Sequence, residues 1–536
     1  MAQYYASPCD DGVIRARCRP VDCAQRAKPW VLAATIMGSS MAMIDGTVVN
    51  VALPTFQQEF SASATQIQWI IEAYALMLAS LILVGGALGD RFGRRRIFGI
   101  GIVIFVVASA ACGLAETATQ LIWARAVQGV GGALLAPASL AIISATFDDD
   151  ERGKAFGTWS AVSAIAMALG PVFGGWLIEH VSWHWIFYIN LPIGVFVLAI
   201  LAWRVPESSD PNATGLDITG AMLAVAGLGG LTFGLIEAAR LGFGSGIVLG
   251  SLIGGALALA GFVYQEGRAR SPMMPLGLFR SSTFSGTNLM TLFLYSALGG
   301  TLFFVPLNLI QVQGYSATAA GAAFLPLMII LFLFSRQAGA LADRFGARPL
   351  LVIGPLVAGL GFALLALPAV GGGYWTTFFP GIFVLAIGMS LSVTPLTTAV
   401  MGAVDQSKAG VASGVNNAVA RTGGLIAVAL FGVVMSAAFQ GHLAGELVGL
   451  DLGHEDAAAI LASGAKLAAA AAPEGLSGAL AAQVDTAIKD AFVSGFRAVI
   501  YLAVAFAFMS ALCSWLFIGR DREPETALPV PEAAAG

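Results

Sequence analysis

The sequence predicts an all-α protein that crosses a membrane many times. Of its 536 residues, 57% are hydrophobic and only 11% are charged, and the mean hydropathy is +0.82. A soluble chain of this length needs more polar residues to cover its core, so lipid must solvate most of this one. Fourteen apolar runs are long enough to cross a hydrocarbon layer of about 30 Å, which takes about 20 helical residues.

Polar, glycine or proline residues bound these apolar runs, which gives the predicted spans to within a few residues. In chain order they are 31–53, 66–89, 97–115, 120–143, 155–179, 185–203, 216–237, 246–265, 284–311, 317–342, 349–369, 374–400, 409–438 and 493–518. An even number of spans puts both ends of the chain on one side. Twenty Lys and Arg residues lie in the tails and connections on that side, and four lie on the other. Because basic residues collect in cytoplasmic loops, we predict a multi-pass protein of a bacterial cytoplasmic (inner) membrane with both termini cytoplasmic.

A repeated motif divides the predicted bundle. The stretch 86–96 follows the second span, and a similar stretch over 339–348 follows the tenth. Eight helices separate the copies, whereas parallel six-helix repeats would separate them by six, so we predict two inserted helices. The predicted regions are a cytoplasmic N-terminal tail (1–29), an N-terminal six-helix half (30–204), two inserted central helices (205–270), a C-terminal six-helix half (271–518) with an extracytoplasmic loop of short solvated helices (440–490), and a cytoplasmic tail (519–536).

Three charged residues within the predicted spans lie near one depth. At 1.5 Å per residue, Asp45 lies about 22 Å from the cytoplasmic start of the first span. Glu72 and Arg125, in the second and fourth spans, lie about 7 Å from the opposite, extracytoplasmic boundary. Charge inside a bilayer is costly and usually faces a bundle interior or a water-filled path. We therefore predict that Asp45 couples proton movement and that Arg125 adjusts its proton affinity. Glu72 and Asn50 are assigned to the same cavity. A structural role for Asp45 and an interfacial position for Glu72 are the alternatives.

Two further motifs lie where the predicted helices meet or turn. Glycine removes side-chain bulk and proline removes a backbone donor, so Gly170, Pro171, Gly174 and Gly175 allow close helix approach and a bend. Ordinary tight packing is the alternative. The repeated motif predicts a cytoplasmic gate latched by charges, with the setting of topology alone as the alternative. The gate residues are Gly86, Asp90, Arg91, Gly93 and Arg94, with Asp343 and Arg344 in the second copy.

The sequence contains no sign of an enzyme or of a bound cofactor. Gly153-Lys154 is followed by Ala155 and lacks the glycine-rich loop that cradles nucleotide phosphates. The four histidines form no metal-binding pattern, and no basic field for nucleic acid is present. We therefore predict no catalytic residue, no metal and no cofactor, and an ion gradient as the energy source.

Together, these motifs resemble the fourteen-helix drug:proton antiporter branch of the major facilitator superfamily, typified by the EmrB and QacA exporters. The matching stretches are 43–54, 86–96, 121–131, 170–175, 183–192 and 216–220. The resemblance covers about residues 30–520. It implies the major facilitator fold and alternating access, with export of hydrophobic, cationic or neutral compounds in exchange for protons. A small lipophilic substrate, protons and the lipid bilayer are the implied partners; the sequence does not indicate whether a periplasmic adaptor takes part.

The chain departs from the branch at several positions. His184 stands where an arginine is common, and Ala166 replaces an expected glycine. Helix 13 contains no acidic residue, which weakens the case for dicationic substrates, yet it contains Arg421 at a depth where a charge needs a partner. Two alternatives stay open. One is a proton-coupled transporter of a single metabolite, and the other is a membrane sensor without flux.

Overall fold

The computed structural model describes residues 20–209, 215, 217–269, 271–405, 408–450, 452–470, 472–473 and 476–519. Over these residues the regular structure is helical, and fourteen helices are long and apolar enough to cross a membrane. The predicted fold class is therefore confirmed. The tail predictions before residue 20 and after residue 519 lie outside the described residues.

The fourteen helices follow one another through short connections. They are α1 Pro20–Glu59, α2 Ala64–Phe92, α3 Arg94–Gly113, α4 Ala118–Thr146, α5 Asp149–His180, α6 Trp185–Arg204, α7 Ile218–Leu241, α8 Gly246–Glu266, α9 Ser282–Val312, α10 Ala317–Phe345, α11 Ala347–Leu365, α12 Phe379–Gly402, α13 Ala409–Val448 and α14 Gly478–Phe517. Short helical segments are Leu276–Arg280, Tyr374–Thr377, His454–Ser463 and Gly464–Ala469. We call the side where α1 begins and α14 ends the terminal face, and the other side the loop face.

Polar N-cap residues mark where several helices begin. Ser63 and Gln66 form a capping box at α2, in which each side chain bonds the other residue's backbone amide. Thr117, Ser281 and Ser316 accept from the third following amide at α4, α9 and α10. These bonds satisfy amides that have no partner within the helix, so the connections between spans can stay short.

Helix pairs assemble into two halves with a lateral pair between them. In the first half, α4 packs closely on α2 and α3, and α1 packs on α5. In the second half, α11 packs on α12 and α9 packs on α14. The pair α7–α8 packs on α2 of the first half and α13 of the second. The two inserted helices therefore lie beside the seam between the halves.

The last two helices extend beyond the predicted membrane spans 409–438 and 493–518. Helix α13 continues to Val448 and α14 begins at Gly478, so much of the predicted loop 440–490 belongs to these two helices. Outside the apolar runs, one face of each helix is still apolar and buried, through Leu443 on α13 and Ile488 on α14. Polar residues on the other faces lower the mean hydropathy, which is why an apolar run cannot locate these ends.

This extension forms a cap on the loop face. Phe439, Ile460 and Phe492 are buried within it. The side-chain amide of Gln57, near the end of α1, donates to the backbone carbonyl of Lys466 at 2.8 Å. The cap therefore belongs to the second half but is hydrogen-bonded to the first.

Candidate functional site

Asp45 and Arg125 form an ion pair inside the first half. Each residue is about 1% exposed, and Arg125 Nη1 donates to Asp45 Oδ2. Asp45 comes from α1 and Arg125 from α4, which run in opposite directions, so their equal depth predicted from the sequence brings them into contact. A buried charge needs a charged partner and further hydrogen bonds, and this pair has both.

Neutral polar side chains complete the shell around Asp45. Gln128 Nε2 donates to Asp45 Oδ1 at 2.8 Å, and Asn190 Nδ2 donates to the same oxygen at 3.4 Å. Both amides also donate to Ser109 Oγ, at 2.9 and 2.8 Å. Gln128 Oε1 in turn accepts from Arg125 Nη1 at 2.7 Å. One polar network, which we call the Asp45 network, thus joins α1, α3, α4 and α6.

Tyr74 covers the guanidinium group of Arg125. The guanidinium carbon lies 4.3 Å from the ring centroid, a cation–π distance. Arg125 Nε also donates to the carbonyl of Ile70 at 3.3 Å. Helix α2 therefore contacts the Asp45 network through an aromatic face and a backbone oxygen. The position of Tyr74 at the site could not be predicted from the sequence, because an aromatic residue in an apolar run carries no charge signal.

Glu72 lies apart from this network, although its depth is similar. It is about 1% exposed, and neither carboxylate oxygen has a hydrogen-bond partner among the described residues. Tyr74 is two residues further along α2, which is about 200° around the helix. Since Tyr74 faces Arg125, Glu72 points away from it. The structure thus separates two carboxylates that the sequence placed in one cavity.

Asn50 also lies outside the Asp45 network. It is half-buried and five residues beyond Asp45 on α1, which corresponds to about 140° around the helix. The neutral polar residues that complete the Asp45 network are instead Gln128, Asn190 and Ser109. The position of Gln128 could have been predicted from the sequence, because it follows Arg125 by three residues and so lies on the same helix face.

Two of the four residues in the glycine and proline motif allow α5 to lie against α1. A Cβ added to Gly170 would come within 2.6 Å of Thr47 Oγ1, and one on Gly174 would overlap Val48. Both contacts lie within one turn of Asp45. A movement of α1 at Asp45 would therefore displace α5 directly.

The other two residues face the second half. Gly175 packs on the backbone of Thr318 in α10, and the carbonyl of Pro171 lies against Gly321. Glu179 accepts from both the amide and the hydroxyl of Thr318, at 2.9 and 2.6 Å. Side-chain bulk at these glycines would force the halves apart near the loop face. The motif thus links the Asp45 helix to a direct contact between the halves.

The repeated motif forms a small charge cluster on the terminal face. Asp90 Oδ1 accepts from Arg94 Nε and Nη2 at 2.9 and 2.8 Å, and Arg94 Nη1 donates to the carbonyl of Ala141 in α4 at 3.4 Å. Gly86 packs on Pro137 of the same helix. The cluster therefore ties the ends of α2 and α3 to α4.

Gly93 and Arg91 complete this turn. Gly93 has a φ of 106°, and a Cβ there would lie 2.7 Å from the carboxylate of Glu207. That carboxylate accepts from the first backbone amides of α3 at 2.9 and 3.1 Å. Arg91 stacks on the ring of Phe92. Only glycine suits both the backbone angle and the space beside this carboxylate.

The second copy of the motif keeps the turn and loses the ion pair. Gly346 has a φ of 82°, and Arg344 stacks on Phe345 at 5.2 Å, the distance found for the first copy. Ala347 occupies the position that corresponds to Arg94. Asp343 is exposed and has no ion-pair partner among the described residues. The predicted gate residues are thus paired in one half only.

An apolar cavity of about 460 Å³ lies beside the seam. Its lining comes from both halves and from the inserted helices, through Leu83 of α2, Leu228 of α7, Phe262 of α8, Leu292 of α9 and Val419 of α13. The side chains of Asp, Glu, Lys and Arg are absent from its lining among the described residues. In that part of the chain, no group of three or more His, Cys, Asp or Glu side chains is placed to hold a metal ion.

In the described part of the chain, two six-helix halves, two inserted helices and an ion pair buried in the first half define a multi-pass membrane transport protein. The chain belongs to the Major Facilitator Superfamily, whose family model matches residues 35–428. This confirms the resemblance of its motifs to that superfamily and excludes the enzyme class.

Named relatives and solved structures agree with this assignment. The tetracenomycin C resistance and export protein of Streptomyces glaucescens is 34% identical over 523 residues, covering 95% of this chain and 96% of that protein. The puromycin resistance protein pur8 of Streptomyces alboniger is 36% identical over 421 residues, covering 77% and 83%. A bacterial homolog of the human lysosomal transporter Spinster, solved inward-facing and unoccupied, has a TM-score of 0.66 at 20% identity and covers 93% of this chain and 99% of that one. This last likeness supports the fold alone.

Proposed function

We propose that the protein exports hydrophobic compounds in exchange for protons by alternating access. The observation that carries the proposal is the buried Asp45–Arg125 pair, in a chain whose relatives are named for drug resistance and export. The excess of basic residues on the terminal face supports a cytoplasmic position for both termini, in a bacterial inner membrane. The proton gradient is the energy source, and no cofactor takes part.

Proton binding at Asp45 is the coupling step in this proposal. The ionised carboxylate holds α1 against α4 through Arg125 and against α6 through Asn190. A proton on Asp45 removes the charge that stabilises Arg125 and one acceptor of the network. The network then loosens, and α1 can shift relative to α4.

The glycine motif provides a path from this shift to the opening of the protein. Val48 on α1 packs on Gly174 of α5, and Gly175 of α5 packs on α10 of the second half. A displaced α1 therefore moves α5, and α5 separates from α10. The paired Asp90 and Arg94 on the terminal face are the proposed cytoplasmic gate, with Gly86, Arg91 and Gly93 shaping its turn.

The test is proton movement in proteoliposomes that hold an imposed pH gradient. Addition of lipophilic cations, neutral drugs and lipophilic acids should trigger proton release with the wild type. The Asp45→Asn variant, which keeps shape but cannot ionise, should give none. Asp485→Asn is the matched control, because Asp485 is exposed and its ion-pair partner among the described residues is Lys489 on the same helix.

Two outcomes would overturn the proposal. Unchanged proton-coupled flux in Asp45→Asn would remove Asp45 from the coupling step. Transport by the wild type without any proton movement would remove antiport itself. A folded Asp45→Asn protein, verified by its helical content and unfolding temperature, is needed for the first comparison.

A further inference from the structure

Arg421 is a cation at the seam between the halves. It lies on α13, which packs on α2 of the first half and on α9 of the second. The side chain is half-buried, and its Nε donates to Asn417 Oδ1 at 3.2 Å, one turn earlier on the same helix. This bond holds the guanidinium group in place and leaves its charge unbalanced.

No carboxylate in the described part of the chain lies within 4.0 Å of the Arg421 guanidinium. The titratable groups close enough to act on its charge are Tyr74 on α2 and Tyr295 on α9. Arg125 is paired with Asp45. A charge at membrane depth needs a partner of opposite sign. Among the described residues, Arg125 has such a partner and Arg421 has none.

The Nη groups of Arg421 are available to a ligand. Among the described residues, Nε is the only one of its nitrogens that donates a hydrogen bond. The remaining four N–H donors form the fork that binds two oxygens of an acidic group side by side. Asn416, on a different face of α13, is hydrogen-bonded to α9 instead, because it donates to Thr291 Oγ1 at 2.8 Å and to Asn288 Oδ1 at 3.2 Å.

We propose that Arg421 binds the acidic group of the exported compound, a carboxylate, sulfonate or phenolate on an apolar body. The inference rests on the proposed function in taking this ligand to be a transport substrate. The resemblance of the sequence favoured cationic or neutral compounds. An acid-binding Arg421 adds lipophilic acids to the expected substrates. It disfavours cations at this position, because a cation would face the unpaired, like-charged guanidinium group.

A pair of fluorescent probes with one apolar body tests the charge requirement. 1-Anilinonaphthalene-8-sulfonate carries a sulfonate, and N-phenyl-1-naphthylamine lacks it. We expect Arg421→Gln to weaken protein-dependent binding of the sulfonate probe by about 10- to 100-fold, as for loss of a charged hydrogen bond. Binding of the neutral probe should stay unchanged. Arg421→Lys, which keeps the charge but loses the fork, should retain only part of the sulfonate affinity.

Arg336→Gln is the matched control, because Arg336 is an exposed arginine on α10 of the same half. It removes the same charge and should change neither probe. Equal losses of both probes in Arg421→Gln, or no loss of the sulfonate probe, would overturn the proposal. So would an equal loss of the sulfonate probe in Arg336→Gln, which would indicate a net-charge effect.

The binding assay separates this inference from the proposed function. Selective binding of the sulfonate probe through Arg421 without proton-coupled flux would support the acid site and contradict antiport. Proton-coupled export of lipophilic cations at the same rate in wild type and Arg421→Gln, without selective sulfonate binding, would support antiport and contradict the acid site.

Discussion

Asp45 and Glu72 are two buried carboxylates of the same half with opposite surroundings. Asp45 accepts from Arg125, Gln128 and Asn190, whereas Glu72 accepts no hydrogen bond within the described chain. An ionised carboxylate in an apolar interior requires a cation, and a carboxylate without one is tolerated as the neutral acid. Depth alone therefore does not decide how a membrane carboxylate is stabilised. The helix face on which the carboxylate lies decides which partners it contacts.

The largest expected effect comes from removing the partner of Asp45. Arg125→Met leaves an uncompensated buried charge, which should lower the free energy of unfolding by about 3–5 kcal/mol. Denaturant unfolding of the purified protein in detergent measures this. The double variant with Asp45→Asn should recover part of the loss, because the orphaned charge is gone. An Arg125→Met variant as stable as the wild type would show that the pair contributes nothing.

Glu72 should respond much less. Glu72→Gln replaces one neutral group by another and should change the free energy of unfolding by less than about 1 kcal/mol. Infrared difference spectroscopy sharpens the comparison, because a protonated carboxylic acid has its own carbonyl stretch. We expect that band to vanish in Glu72→Gln and to persist in Asp45→Asn at neutral pH. The reverse pattern would exchange the roles of the two residues.

The smallest effect is expected for the ion pair on the terminal face. Asp90 and Arg94 are four residues apart at the end of α2 and the start of α3, and both are in partial contact with solvent. Such pairs contribute about 0.5 kcal/mol, and salt screens them. Asp90→Asn should therefore shift the unfolding temperature slightly at low salt and not at high salt. A large, salt-independent shift would instead show that this pair contributes to stability as a buried ion pair does.

Much of the fold could be predicted from local sequence. Apolar runs located the spans because lipid imposes one length and one polarity on every helix that crosses it. The repeated motif located equivalent turns, and Gly93 and Gly346 both have a positive φ. The outer ends of α13 and α14 could not be located in this way, since protein rather than lipid covers them.

The site was predictable only in part. Charge and depth brought Asp45 and Arg125 together, because charged residues are rare in these spans. Gln128, Asn190 and Ser109 carry no charge, and their participation depends on which faces four helices turn toward one another. The separation of Glu72 from the pair has the same cause. Rotation about a helix axis is set by packing with neighbours, which residue depth does not report.

The two longest helices give the second half a mechanical property. Helices α13 and α14 each contain 40 residues, which corresponds to about 60 Å, twice the hydrocarbon thickness. About half of each helix therefore extends beyond the hydrocarbon layer as an outer part on the loop face. A rotation of about 5° at the membrane boundary displaces a tip about 30 Å away by about 3 Å. The bond between Gln57 and the Lys466 carbonyl is made beside this outer part, because the segment that contains Lys466 lies against Phe439 and Leu443 of α13. Rotation of the two helices therefore strains the contact between the outer cap and the first half.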